Sequence, residues 1–257
     1  MSGIKDKVAL ILGGAGGIGS AAAQDLAAKG AKVAIADINR PQADIVAKRI
    51  QDRGGVARAY PVDITNKDQV KALVEHVVRD YGALDALINC AGIMFVRPLS
   101  EINTEEWETT IDLNVKGALW AIAASLPLFL EQQRGHIINL SSVHGLKVFS
   151  PGGAVHSASK FALRALCEAS KFALRALCEG VRAELANTPI RSSLITPGAV
   201  DTGMQYKTTG SDSARMLAIY KNAIPAEAVA RAITFAMEQP PNVDVNEIVI
   251  RPTAQAI

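Results

Sequence analysis

The apolar run Val8–Leu12 passes directly into Gly13-Gly14-Ala15-Gly16-Gly17-Ile18-Gly19 and then into the alanine-rich stretch SAAAQDLAAKG. A short apolar run bounded by lysines and glycines reads as a strand buried on both faces, as parallel strands are. The alanine-rich stretch reads as a helix stopped by Gly30. The pattern then repeats. Lys32–Ala36 predicts a second strand ending at Asp37, Pro41 opens a helix to about Asp52, and Val56–Val62 predicts a third strand ending at Asp63. A helix over Asn66–Tyr81, a strand over Ala86–Ile88, and helical periodicity over Thr104–Leu130, broken near Pro127, come next. Strands over Gly135–Leu140, Arg191–Thr196 and Glu247–Arg251, with a helix over Ala226–Glu238, complete the alternation. Strands and helices alternating at this spacing require right-handed crossovers. The expected architecture is therefore α/β: one domain over residues 1–257, with a doubly wound parallel sheet in three α/β/α layers.

A chain of 257 residues that is 49% hydrophobic can bury the core that such a sheet needs. Its net charge of +2 gives no electrostatic footprint for nucleic acid or for an acidic membrane surface. No stretch approaches the roughly 18 uncharged apolar residues of a membrane span. The opening MSGIKDKVALILGG lacks the apolar run and cleavage site of a secretory leader. Three cysteines, Cys90, Cys167 and Cys178, make no disulfide framework, so a reduced, cytoplasmic compartment is expected.

A glycine loop between a strand and a helix lets the backbone approach a pyrophosphate, whose charge rests on the helix N-terminus. A plain tight turn is the alternative. Asp37 ends the second strand 18 residues after Gly19. A carboxylate there would accept from both ribose hydroxyls and repel a 2′-phosphate, which favours NAD over NADP. Arg40, three residues on, pulls the other way. Asp63 reads either as a second contact or as the cap of the following helix.

Taken in order, Leu12-Gly13-x-x-x-Gly17-x-Gly19, Asn89-Cys90-Ala91-Gly92, Asn114, Ser142 and Pro197-Gly198 with Thr202 resemble the ordered motifs of the classical short-chain dehydrogenase/reductase family. The match spans nearly the whole chain. It implies a Rossmann-type domain, a homo-oligomer (tetramer or dimer), and hydride transfer between a nicotinamide and a small-molecule alcohol or ketone. The resemblance places Gly13, Gly17, Ile18 and Gly19 on the pyrophosphate, Asp37 on the adenosine ribose, and Asp63 with Ile64 on the adenine. Asn89 and Gly92 would back the cofactor, Pro197 and Gly198 would lie beside it, and Val200 with Thr202 would fix the carboxamide. Two departures stand out: Leu12 where the family has threonine, and Cys90 where it has a second asparagine.

For catalysis the resemblance implies Ser142 as the holder of the substrate oxygen, Asn114 as a relay through water, and Lys160 as the grip on the nicotinamide ribose. The family's tyrosine is missing. Where members read YSASK, this chain reads His156-Ser157-Ala158-Ser159-Lys160. Histidine is a competent general base, but its ordinary pKa of about 6.5 would be lowered further beside Lys160. A neutral imidazole accepts a proton from an alcohol and is a poor donor to a ketone. Weak activity, better in the oxidising direction, is expected. Tyr206 and Tyr220 lie in a later segment and would need an unusual approach.

The same helix carries a tandem duplication, ASKFALRALCE at Ala158–Glu168 and again at Ala169–Glu179. Eleven helical residues make three turns plus about 20° and add about 16 Å. The face is kept while the length grows, and Asn187-Thr188-Pro189 is a short return to the next strand. Two registers are open: His156 with Lys160 in the site, or Cys167 with Lys171. Residues 203–223 are expected to form a lid, with Met204, Tyr206, Met216 and Tyr220 suggesting a partly apolar pocket. His76, His136, His144 and His156 show no metal-ligand spacing, so no metal is expected.

Overall fold

The computed structural model describes residues 3–148, 153–168, 190–203 and 213–255, leaving the side chains of 165–168 and 213–216 outside that description. The first half alternates as expected: β1 (Val8–Leu12), α1 (Gly17–Ala28), β2 (Lys32–Asp37), α2 (Arg40–Gln51), β3 (Val56–Pro61), α3 (Lys67–Tyr81) and β4 (Ala86–Asn89). Side chains set several of these boundaries. Asn39 caps α2 through Gln42 N, and Asn66 caps α3 through Asp68 N and Gln69 N. Gly82, at φ 83°, ends α3 in the left-handed region that glycine enters without strain.

Seven described strands form one parallel sheet in the order β3-β2-β1-β4-β5-β6-β9, where β5 is Gly135–Leu140, β6 is Ile190–Pro197 and β9 is Glu247–Ile250. Alternate residues of β1 feed opposite layers: Ala9 and Ile11 join the core under α1 and α2, while Leu10 and Leu12 join the core under α3. All five β1 residues are therefore buried. Burying one leucine such as Leu10 contributes about 1.5–3 kcal/mol. The alanines of α1 allow close packing on α8 (Ala226–Glu238), and Thr234 Oγ1 donates to Asp25 Oδ2 at 2.5 Å across that contact. Strand order reverses between β1 and β4, and a crevice opens there at the carboxyl ends.

The expected break near Pro127 is absent. One helical stretch runs through α4 (Thr104–Ile111), a π-helical turn (Asp112–Lys116) and α5 (Gly117–Gln132), with Pro127 inside α5. Pro127 and Ala123 are both exposed, so the carbonyl that loses its usual donor faces water. The irregularity lies at the π turn, which contains Asn114. Thr104–Gln132 is long and apolar enough by composition to cross a membrane, and in this fold α5 packs on α3, β4 and β5.

Helix α6 (Ala154–Glu168) contains the first copy of the repeat. The second copy, with Lys171 and Cys178, lies outside the described residues, as do Met204, Tyr206 and the short return before β6. Beyond β6, β7 (Val200–Asp201) pairs in parallel with β8 (Ile224–Pro225), and α7 (Ser213–Tyr220) precedes β8.

Candidate functional site

A cavity of about 960 Å³ opens along the carboxyl edge of the sheet. The glycine loop forms one end of it. Gly13 has φ +71°, and a Cβ there would sit 2.7 Å from the backbone of Ala91. A Cβ on Gly17 would sit 2.8 Å from Thr202 Cβ, and one on Gly19 would meet the Gly13 carbonyl. These positions exclude side chains because three chain segments converge on the loop. No side chain caps α1, which leaves its first N–H groups for an anion. The absent threonine at Leu12 is offset by backbone bonds: Gly14 N donates to Ala36 O at 3.1 Å, and Cys90 N donates to Leu12 O at 3.0 Å.

Asp37 is held beside this loop. Its Oδ2 accepts from Ala15 N at 3.0 Å and its Oδ1 from Asn39 N at 2.9 Å. A carboxylate oxygen with one partner keeps a second lone pair, so both remain able to accept from ribose hydroxyls. Asp63 does not cap α3, because Asn66 does; its Oδ1 accepts from Thr65 N and Thr65 Oγ1 in a local turn. Asp63 and Ile64 line the cavity with Ile18, Pro197, Gly198, Val200 and Thr202. A side-chain-free cradle at a helix N-terminus, next to a ribose-facing carboxylate, fits a nicotinamide dinucleotide.

At the other end, α6 brings His156 and Lys160 into the cavity wall, 5% and 7% exposed. The placement of the first copy rests on the residues before the repeat. Ser157 is fully buried, and its hydroxyl lies 3.2 Å from His144 Nδ1. Glu168 would occupy that position in the other register, and a carboxylate buried there would be costly. His156 Nδ1 lies 3.2 Å from the carbonyl oxygen of Ile93. A carbonyl only accepts, so the shared proton belongs to Nδ1 and the lone pair to Nε2. That second nitrogen makes no hydrogen bond among the described residues and is not sealed from solvent, so it is the one presented to the cavity.

Ser142 Oγ accepts from His144 N at 3.2 Å, which leaves its own proton to donate. Lys160 Nζ donates to Leu140 O at 3.2 Å. Burial pushes Lys160 down to about 8, a fall that neighbouring Cys90 opposes. Burial pushes the Cys90 thiol up to about 12, against the pull of Lys160, so the thiol is unreactive. His156 is held well below its ordinary value by burial first, then by Lys160 and His144. Burial and Lys160 lower His144 as well.

Two expected site residues stand behind the wall. Asn114 is 1% exposed and spends its amide on other protein groups. Oδ1 accepts from Ile93 N at 2.9 Å, while Nδ2 donates to Ile93 O and to Ser159 Oγ, both at 3.0 Å. The side chain therefore locks the π turn to the loop after β4, and π turns recur where a helix is bent for function. Asn89 Nδ2 donates to Asn139 Oδ1 at 2.5 Å, joining the ends of β4 and β5. Neither residue lines the cavity, so the Asn114 side chain serves the fold behind the wall. Gly92 does line the cavity: a Cβ there would lie 3.3 Å from Asn114 Oδ1 and 3.4 Å from Lys160 Nζ.

The residue that sequence reasoning passed over is His144. It lines the cavity, and its ring meets that of His156 edge to face at 5.4 Å between centroids. Its signal was position alone, two residues after Ser142 at the end of a buried strand. Gln255 was missed too. It reaches back from the chain's end to accept from Ala199 N at 2.9 Å beside Gly198.

Residues 7–169 match the short chain dehydrogenase family. The chain is 36% identical to an uncharacterized oxidoreductase of Staphylococcus saprophyticus over the full length of both. It is 40% identical to one of Listeria monocytogenes over 98% of each. Among solved structures, it superposes on a metagenomic short-chain oxidoreductase, crystallised with NADP, at a TM-score of 0.80 and 27% identity, covering 99% of this chain and 100% of that one. With more than half its length matched, and with the parallel sheet and glycine cradle in place, the chain belongs to the short-chain dehydrogenase family.

Proposed function

We propose that the protein is an NAD-dependent oxidoreductase that interconverts a secondary alcohol and a ketone, with weak turnover that favours oxidation. When bound, the nicotinamide ring supplies the acceptor or donor of hydride. Gly13, Gly17, Ile18 and Gly19 hold the pyrophosphate, and Asp37 holds the ribose and disfavours a 2′-phosphate. Arg40, the nearby cation, is turned to Asp44 at 3.4 Å, which supports NAD over NADP. Lys160 grips the nicotinamide ribose. Ser142 donates to the substrate oxygen, and His156 Nε2 accepts the alcohol proton.

The hydrogen bond from His156 Nδ1 to Ile93 O carries this reading, because it leaves the basic nitrogen toward the cavity. The same bond explains the expected bias. His156 takes the place of the family's tyrosine and holds no dissociable proton toward a ketone at neutral pH. Exposed Phe161 on α6 and the half-exposed Leu119 and Leu130 on α5 support assembly into a homo-oligomer.

A steady-state assay of NAD⁺ with simple secondary alcohols, beside NADH binding by fluorescence, tests the proposal. Turnover that rises at least tenfold in His156→Tyr is expected. Tight NADH binding with no turnover in the wild type would instead support a second reading, a cofactor-binding protein without catalysis. That alternative is favoured by the absence of any tyrosine four residues before Lys160. Asp37→Ala should narrow the preference for NAD over NADP, and an unchanged ratio would remove Asp37 from the ribose.

A further inference from the structure

Tyr220 ends α7 and lines the same cavity as His156 and Ser142. Its ring packs on Met94 and Val96, which are 6% and 2% exposed, in the loop that follows β4. Met94 adjoins Ile93, the residue whose carbonyl holds His156, so the phenol stands on the same loop wall as the proposed base. Backbone bonds fix its position. Ala223 N donates to Tyr220 O at 3.0 Å, and Ile224 N donates to Ala199 O at 3.0 Å, tying the turn after α7 to the segment beside the cofactor.

The ring is half-buried against Met94 and Val96, and the hydroxyl is not used by the described residues. Among the described residues the phenol oxygen makes no hydrogen bond, yet it is not among the side-chain atoms sealed from solvent. A tyrosine with a buried ring usually finds a partner for its hydroxyl. Tyr220 is one of the residues that line the cavity. Met94, Phe95, Val143 and Ile219 give the described lining apolar surface beside the polar Ser142, His144 and His156, and the cavity's carboxylates, Asp37 and Asp63, belong to the glycine-loop end. Burial holds the phenol above its ordinary value, so it remains a protonated donor through the neutral range.

We propose that Tyr220 is a specificity-determining residue whose hydroxyl donates a hydrogen bond to a second acceptor on the substrate. The substrate class follows: an uncharged, largely apolar ketone or secondary alcohol with a carbonyl or ether oxygen a few bonds from the reacting carbon. Ser142 and His156 engage the reacting oxygen, and Tyr220 reads the other one. An acceptor-free analogue leaves that hydroxyl unpaired in an apolar wall, which lowers its affinity.

This inference rests on the oxidoreductase reading, and two probes separate their failures. Ethyl acetoacetate carries the second acceptor and 2-hexanone does not; each is reduced with NADH by the wild type and by Tyr220→Phe, which keeps the packing ring. The wild type should prefer the oxo ester at least fivefold in kcat/KM, chiefly through KM. Tyr220→Phe should bring that ratio close to one with 2-hexanone unaffected. No wild-type preference, or an equal loss on both ketones, would overturn the role of Tyr220 and leave the oxidoreductase reading intact. If neither ketone is reduced and neither matching alcohol, ethyl 3-hydroxybutyrate or 2-hexanol, is oxidised with NAD⁺, the oxidoreductase reading fails, and saturation-transfer NMR of the NAD⁺-loaded protein decides Tyr220 separately. Weaker binding of ethyl acetoacetate to Tyr220→Phe than to the wild type upholds the assignment; equal binding, or none, overturns it.

Discussion

The Nδ1–H of His156 points at the carbonyl oxygen of Ile93 from 3.2 Å, and the same oxygen accepts from Asn114 Nδ2 at 3.0 Å. One backbone oxygen in the loop after β4 thus fixes the tautomer of the proposed base and anchors the π turn that carries Asn114. Ser159 completes the link, donating to His156 O at 2.7 Å while accepting from Asn114. Among the described residues this wall of the site is held by buried polar bonds.

The pH profile of alcohol oxidation should carry this signature. His156 lies well below 6.5, so the rising limb is expected below pH 6.5 rather than at an ordinary histidine value. Lys160 lies near 8 and loses its charge above it, so kcat/KM should fall through about pH 8. Lys160→Arg should move the falling limb upward, because guanidinium stays charged. A profile with its rising limb at 6.5 would point to a different base.

The two lysines of the repeat give a direct comparison. Lys160 lies in the cavity wall, so Lys160→Ala should lower turnover at least a hundredfold and weaken NADH binding. Lys171→Ala should leave both within about twofold. The reverse result would mean that the second copy serves the site in solution.

Gly17 separates cofactor binding from folding. Its Cβ would meet Thr202 Cβ at 2.8 Å, so Gly17→Ala must push the loop away from Thr202 and narrow the cradle. NADH affinity measured by fluorescence should fall at least tenfold, with a loss of stability of about 1–3 kcal/mol. Gly82→Ala, at φ 83° with open space around its Cβ, should cost only about 1 kcal/mol and leave NADH affinity unchanged.

Acid should destabilise the fold through a histidine outside the site. His136 is 2% exposed; its Nε2 lies 2.8 Å from Ser193 Oγ, and its Nδ1 has no partner among the described residues. Burial, aided by Arg191, pushes it down to about 3. Above pH 6.5 the ring is neutral in both states. Between 6.5 and 3 the unfolded chain binds a proton that the native chain does not, and stability drops by of order 1 kcal/mol per pH unit. Urea midpoints at pH 7.5 and 5.5 should differ less in His136→Asn than in the wild type. An identical difference would assign the acid sensitivity to other groups, such as His144 and His156.

Some of the site was readable before any coordinates, and the reasons differ by residue. The glycines of the loop and Asp37 follow from local rules, because strand, turn and helix are contiguous there and strand ends share one edge. Asn114 was found, but its use was not. An asparagine that spends its whole amide on a loop from another part of the chain leaves no local pattern. Pro127 misled because a proline breaks a helix only when the lost carbonyl partner matters, and here that carbonyl meets water. His144 gave only its position after Ser142 and Tyr220 only its place in the expected lid, since their roles come from what faces them.

The sequence by itself determined the layered fold, the glycine loop between β1 and α1 and the histidine at position 156. These depend on periodicity and on residues adjacent in the chain. Tertiary structure placed Lys160 of the first copy in the cavity wall and set which nitrogen of His156 keeps its lone pair. The two copies are identical along the chain and differ only in the residues that flank them. Ser157 and His156 meet His144 and Ile93, 13 and 63 residues away in sequence respectively, and only the folded chain brings those partners together.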